Sequence, residues 1–280
     1  MIDIRQITIQ ALLTLLIATY SVGQSTINVV NGGKMKITSD TRVQSQNLDI
    51  SNNGQLEVRG ELTVNNVLSN STGTSGLILK ADANGYGSLM HNSNSVSATS
   101  EQYLLSEMWH LVTPGLNGEN IEPYLDIYLK QWHEDNGTWE YLTQPLSTPL
   151  ESTSGYSVWT SNNLTGTTTV NLEGTLTAGD ANAIGLGYTG GGPEAGWNLV
   201  GNPYPSCIEW DTTWTTSNIG GWAVLYDNGT YKGWNPYLTG EDRSYNGKTN
   251  GLIAPKQGFW IRASGDNPSM EFKQDERTHG

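Results

Sequence analysis

Glu209 and Asp211 flank Trp210 at the end of the stretch GWNLVGNPYPSCIEW, residues 196–210. On a strand, alternate residues share a face. The pair could therefore offer two carboxylates to a calcium ion or to glycosidic acid–base chemistry, with Trp210 or Trp214 as a platform for a sugar ring. One sequence-adjacent pair does not place two acids across a scissile bond, so a solvated strand edge is the simpler reading. Glu209 and Asp211 stay as weak metal candidates. The four histidines, 91, 110, 133 and 279, are widely separated, and His133-Glu134 lacks the second histidine of a zincin helix. Gly155-Tyr156-Ser157-Val158-Trp159 lacks the closing glycine of a nucleophile elbow. The calcium-loop-like opening DANGYG at Asp82 reaches Ser93 where a bidentate glutamate should stand. Cys207 is the chain's only cysteine, so it forms no intrachain disulfide and reads as a small buried residue. No catalytic residue, metal site or cofactor is expected.

Aromatic chemistry is the stronger signal. Ten Trp and 13 Tyr stand against two Phe, a bias towards rings that join a large apolar face to a hydrogen-bonding tip. Trp210, Trp214, Trp234, Tyr237 and Tyr245 lie near loops and have no clear counterpart elsewhere in the chain, which makes them the expected ligand-facing set. GNPYPS itself reads as an architectural corner: Pro203 and Pro205 fix φ, hold Asn202 and Tyr204 extended, and allow a cis X–Pro bond.

The elements that must position these residues are strands. From Ile27 to Leu79 the apolar residues form short alternating triplets (Ile27/Val29, Met35/Ile37, Leu48/Ile50, Leu56/Val58, Leu62/Val64, Leu77/Leu79), separated by Asn-Gly and Gly turns. Stacked rungs of a β-solenoid fit this pattern best, although a meander of hairpins would produce nearly the same one. A polar run over 91–100 marks the expected boundary. Beyond it the chain repeats itself. Trp109-His-Leu-Val answers Trp197-Asn-Leu-Val, and the DNGT turn at 135 answers the one at 227. Leu150, Gly155, Tyr156 and Val158 answer Ile253, Gly258, Phe259 and Ile261. The second copy carries an insertion within residues 231–252, expected as a surface loop in which Glu241-Asp242-Arg243 form a local ion pair. Trp109 and Trp197 are expected in equivalent core positions, and the strand through Trp222, Val224 and Tyr226 in a central one.

The expected fold class is all-β: a short amino-terminal β-solenoid-like segment followed by a β-sandwich built from two similar halves. The expected divisions are a signal peptide at 1–23, a solenoid-like region at 24–95, and a sandwich at 96–280 with copies at about 101–180 and 190–280. The signal peptide rests on Arg5, the apolar run Ala11 to Ala18 and the small residues before Gln24. A net charge of −13 disfavours nucleic acid and anionic lipid. A secreted or cell-surface location follows, with no membrane insertion after signal cleavage and with extracellular polysaccharide or envelope proteins as partners.

LVGNPYPS followed by APKQGFW, with GSLMHNSNSVSATSEQYL and WHLVTP upstream and ERTH at the end, resembles a module of secreted and surface proteins of the Bacteroidota that leave the cell by the type IX route. The resemblance covers residues 77–279 in patches. It implies a module set between a repetitive region and a carboxy-terminal sorting domain, with no catalytic residues to carry over. The sequence departs from it at Cys207, usually a small aliphatic residue, and in having no sorting domain after Gly280, which reads as a fragment or as another export path. The leading expectation is a secreted, non-enzymatic surface module for adhesion or scaffolding. A carbohydrate-binding module using the loop aromatics is second, and a glycosidase-like enzyme third.

Overall fold

Alternating triplets joined by left-handed turns coil the first part of the chain into a solenoid. The computed structural model describes residues 25–160 and 168–280, so the expected signal peptide at 1–23 lies outside the described residues. Four coils each contribute two strands: Thr26–Val29 with Lys34–Ile37, Arg42–Ile50 with Gln55–Val58, Glu61–Asn70 with Leu77–Leu79, and Ser88–His91 with Ser97–Leu104. Successive coils pair in parallel, so that Val29 lies beside Ile50 in one sheet and Ile37 beside Val58 and Leu79 in the other. The inward residue of each triplet is almost fully buried, and the polar ones face solvent, as period two requires. The corners are tight. A Cβ on Gly54 would meet the Val29 carbonyl oxygen at 1.8 Å, and one on Gly87 would meet that of Val58 at 2.0 Å, so only glycine lets one coil settle on the last.

The expected division after residue 95 falls inside the fourth coil. Ser97–Leu104 pairs in parallel with Leu77–Leu79 and antiparallel with Thr168–Leu176, which closes the sheet together with Leu116–Asn117. The polar run reads as a linker because its hydroxyls are interior ones: Thr99 Oγ1 donates to the Thr74 carbonyl, and Ser100 accepts from Lys256 Nζ at 2.9 Å. Short hydroxyl side chains satisfied in this way are admitted to a core.

Two sheets follow, and their topology is the same. The first has the order Trp109–Val112, Tyr156–Trp159, Tyr128–His133, Thr138–Tyr141; the second has Trp197–Gly201, Gly258–Arg262, Ala223–Asp227, Thr230–Trp234, with Ser244–Tyr245 added at the edge. Register matches too. Trp109 opposes Trp159 and Val112 opposes Tyr156, as Trp197 opposes Arg262 and Val200 opposes Phe259. The chain is therefore duplicated residue by residue across its first and last strands.

The DNGT turns are a looser match. Residues 134–137 bridge His133 and Thr138, whereas Asn228-Gly229 alone bridge Asp227 and Thr230, at φ values of 52° and 79° that suit a two-residue hairpin turn. Relative to the turn, the preceding strand is shifted by the difference. Cross-strand geometry then places Trp132 and Trp139 where the second half has Tyr226 and Tyr231.

Each sheet buries one face on its own core and turns the other towards its copy. Val112, Leu129, Tyr156 and Val158 join the solenoid core; Val200, Ala223, Leu225, Phe259 and Ile261 pack with Trp210, Trp214, Met270 and Phe272. The facing layer holds Leu111, Leu199 and Trp260, with Trp132, Trp139, Trp197, Val224 and Tyr226 against them. Ala223–Asp227 is central, as its two apolar faces require.

The halves meet by backbone. Val112 bridges Gln257 and Val200 bridges Ser154, which are the same contact under the duplication. So are the bonds Thr113 N–H to the Lys256 carbonyl (3.0 Å) and Gly201 N–H to the Thr153 carbonyl (2.9 Å). Gln102 Nε2, from the last coil, donates to the carbonyls of both Thr113 and Lys256, so the solenoid grips this joint. GNPYPS is the corner that leaves it: Asn202, fully buried, gathers the carbonyls of Ser206, Ile253 and Ala254, and Tyr204 donates to Gly179 and Phe272. Among the described residues the cis peptide bond is at Gln144-Pro145, outside this corner.

Two predictions follow from the joint. A Cβ on Gly201 would sit 2.2 Å from Thr113 Cβ, so Gly201→Ala should lower stability by about 1–3 kcal/mol in denaturant unfolding. Lys256, buried beside Ser100, has its ammonium pushed from 10.5 down to about 8 by burial. Below that value both states carry the proton and the folded state bears the burial cost. Between about 8 and 10.5 the unfolded state binds more protons, so the lysine's contribution to stability should rise with pH. Lys256→Met should remove that rise and stabilise the protein at neutral pH, as read by thermal unfolding across the pH range.

Candidate functional site

The facing aromatic layer is not closed along its length. Where the two sheets diverge they leave a cleft of about 540 Å³ lined by Trp132, Trp139, Glu194, Trp197, Trp222, Val224, Tyr231, Tyr245 and Trp260. Trp260 is the floor, 8% exposed, and receives Trp132 and Trp139 edge-on with ring centroids 5.5 and 5.8 Å away. Trp132 Nε1 donates to the Trp197 carbonyl at 2.7 Å, fixing one sheet's wall to the other. Trp222, Tyr231 and Tyr245 form the outer wall, the tyrosines about half exposed. That wall exists because Gly233 has no side chain: its Cβ position lies 3.1 Å from the Trp222 ring and 3.3 Å from Tyr245 Cβ. Burial raises the Tyr231 phenol above its ordinary value, with neighbouring Tyr226 and then the Glu194 carboxylate adding to the effect.

The rim is held from the other half. Glu134, buried in the first hairpin loop, accepts through Oε1 from Thr189 N–H, Thr189 Oγ1 and Gly196 N–H at 2.7–2.9 Å. Burial alone would raise this carboxyl, but the donors outweigh it and hold it below its ordinary value. That one oxygen ties the strap carrying Glu194 into Trp197 to the first half.

Of the expected ligand-facing aromatics, Tyr245 alone lines the cleft. Trp210 and Trp214 are 2% and 6% exposed, packed on each other and on Phe259 and Phe272, with indole N–H groups donating to the Gly221 and Glu209 carbonyls. They are core. Trp234 is half-buried under the Arg243 guanidinium, which donates to the Leu238 and Pro236 carbonyls rather than completing the expected local ion pair. Tyr237 is exposed but lies outside the cleft lining. Trp109 and Trp197 are equivalent in register and both half-buried: Trp197 packs on the core layer between the sheets, and Trp109 on Trp159 and the Lys130 ammonium.

Sequence reasoning missed Trp132, Trp139, Trp197, Trp222, Tyr231 and Trp260: it gave Trp197, shared with Trp109, and Trp222, on a strand apolar on both faces, to the core, and Trp260 has no aromatic counterpart in the first copy. The shared pairs Trp132/Trp139 and Tyr226/Tyr231, one each side of an Asn-Gly turn, were the available signal.

Glu209 and Asp211 do meet a third acid. Thr213 N–H and Oγ1 donate to Asp211 Oδ1, the same hydroxyl lies 2.5 Å from Glu276 Oε1, and burial raises the Glu276 carboxyl. No cavity described here reaches these groups, and among the described residues no cluster of three or more His, Cys, Asp or Glu could hold a metal. A second cavity, about 570 Å³ at the solenoid edge, is polar; its Arg42–Glu61 and Arg59–Asp82 pairs neutralise each other.

The chain belongs to a family described as a domain of unknown function (DUF8693), whose model matches residues 6–280. No curated protein and no solved structure matches it.

A carboxyl held below its ordinary value stabilises above that value and stops doing so as pH falls through the folded one. The strap at 187–196 should therefore loosen as pH drops from about 4.5. Protection of the Thr189 and Gly196 amides against hydrogen exchange, taken relative to the intrinsic rate at each pH, should fall over that range, and Glu134→Ala should show the low protection already at neutral pH.

Proposed function

We propose that this member of the DUF8693 family is a non-enzymatic, exported surface module that captures extracellular saccharide in its aromatic cleft and so serves adhesion. The observation that carries the reading is the cleft itself: five indoles and two phenols converge on one space. The apolar C–H faces of a sugar ring stack on indole and phenol faces, while its hydroxyls find the polar tips at the rim. The cleft's volume lies in the range of small-molecule sites, and most of its lining stands on strands, with Trp222 just before one and Glu194 on the strap. A secretory amino terminus and the net charge of −13 support an extracellular partner that is not a polyanion.

Binding to a panel of extracellular polysaccharides, followed by tryptophan fluorescence, tests the reading. Tyr231→Ala with Tyr245→Ala should weaken a positive interaction at least about 10-fold and leave thermal unfolding nearly unchanged, since both residues are exposed. Trp214→Ala should behave oppositely, costing about 3–5 kcal/mol of stability. Saccharide binding indifferent to the tyrosine pair would move the site elsewhere; absence of binding across the panel would remove the reading.

A further inference from the structure

The duplication supplies an internal experiment on this aromatic face. In the first half Lys130 lies opposite Ser157, and its Nζ stands 3.5 Å from the Trp109 ring centroid, 5.3 Å from Trp139 and 5.4 Å from Tyr141. An ammonium of the chain's own is thus seated in a three-ring cage. The equivalent place in the second half, opposite Trp260, belongs to Val224. Around it Trp197 and Tyr231 replace Trp109 and Trp139 by the matched registers, and both line the cleft. Two of the three cage rings are kept, Gly233 stands where Tyr141 closes the first cage, and the cation is gone.

Two further observations point the same way. No basic side chain lines the cleft, and its one charged group is Glu194 at the rim. Arg262 of this half is held against Trp197 at 5.6 Å with its Nε donating to the Ala195 carbonyl, outside the lining. Ring faces carry negative potential and attract a cation within about 6 Å, most strongly for indole, so the cleft presents to its occupant the environment that Lys130 fills internally.

We infer that the saccharide taken by this cleft bears a protonated amine, which enters the place that Lys130 occupies in the first half and pairs with Glu194. The inference rests on the saccharide reading above. In β-1,4-linked oligomers of glucosamine, N-acetylglucosamine and glucose, the backbone is shared and the groups differ at the 2-position, as amine, amide and hydroxyl.

Titration of the protein with the three oligomers at equal length, near neutral pH and physiological salt, tests it. The glucosamine oligomer should bind about 10-fold more tightly than the glucose one, with the N-acetyl oligomer close to glucose, and Glu194→Gln should cut most of that preference. Equal or tighter binding of the neutral oligomers overturns the amine and leaves the saccharide reading standing. Failure of all three to bind overturns the inference, and the saccharide reading then stands or falls with the polysaccharide panel. A glucosamine preference that survives in the Tyr231→Ala, Tyr245→Ala protein is bulk attraction to an acidic chain, because that variant keeps the full charge, and it also overturns the inference.

Discussion

Backbone contact between the strands beginning at Trp109 and Trp197 is the constraint from which the rest of the molecule follows. Thr113 and Gly201 end the two strands, each donating its N–H to a carbonyl of the other half, Lys256 and Thr153. Strands approach this closely only where side chains are missing. Gly155 and Gly258, equivalent under the duplication, have Cβ positions 2.6 Å from Leu199 Cγ and 2.9 Å from the Val112 nitrogen and oxygen. Alanine at either place would drive the sheets apart. The four backbone partners form two bonds that are equivalent under the duplication, and Gln102 of the fourth coil gathers two of their carbonyls, so solenoid and sandwich share one rigid joint of hydrogen bonds.

A face buried against its own copy must satisfy both halves at once near the axis and is released from that demand away from it. Leu111 and Leu199 are the symmetric centre. Departures grow outward: Trp260 replaces Ser157, Val224 replaces Lys130, Gly233 replaces Tyr141, and Ser244–Tyr245 adds a strand with no counterpart. Each change works on the cleft. The large indole gives it a floor, the lost lysine empties it, the lost tyrosine opens it and the extra strand walls it. An asymmetric site has been made by local substitution in a symmetric frame, which explains why Trp132, Trp139, Trp197 and Tyr231 occupy positions that are aromatic in both copies while Trp260 and Tyr245 do not.

Much of this was legible in the sequence. The triplets before Leu79 gave the coils because period-two alternation with glycine turns has few other solutions, and the repeat was visible because the joint needs the same glycines and apolar residues twice. GNPYPS read correctly as a corner since two prolines leave little conformational choice. Trp210 and Trp214 were misplaced for a physical reason: an indole beside a polar loop looks alike whether its N–H meets solvent or a carbonyl, and here both meet carbonyls in the core. The second strand of the fourth coil escaped notice because Thr99, Ser100, Glu101 and Gln102 are buried between its apolar Ala98 and Leu104 and break the alternation. The cleft escaped because alternation tells that a strand has two faces, never which neighbour covers each.

The division of labour within the cleft sets where its selectivity can vary. Trp260 belongs to the joint as much as to the site, since it packs on Leu199 and receives both indoles of the opposite sheet. Trp132 and Trp197 are likewise tied by the indole-to-carbonyl bond that spans the halves. Changing these residues alters the packing of two sheets, a cost of several kcal/mol for an indole in a core. Tyr231, Tyr245 and Glu194 carry no such burden: the first two are half exposed, and the third rides on a strap that Glu134 fixes from beneath. A floor held by folding and a rim free to change is an arrangement that keeps the ring faces constant while the polar edge is left open to variation.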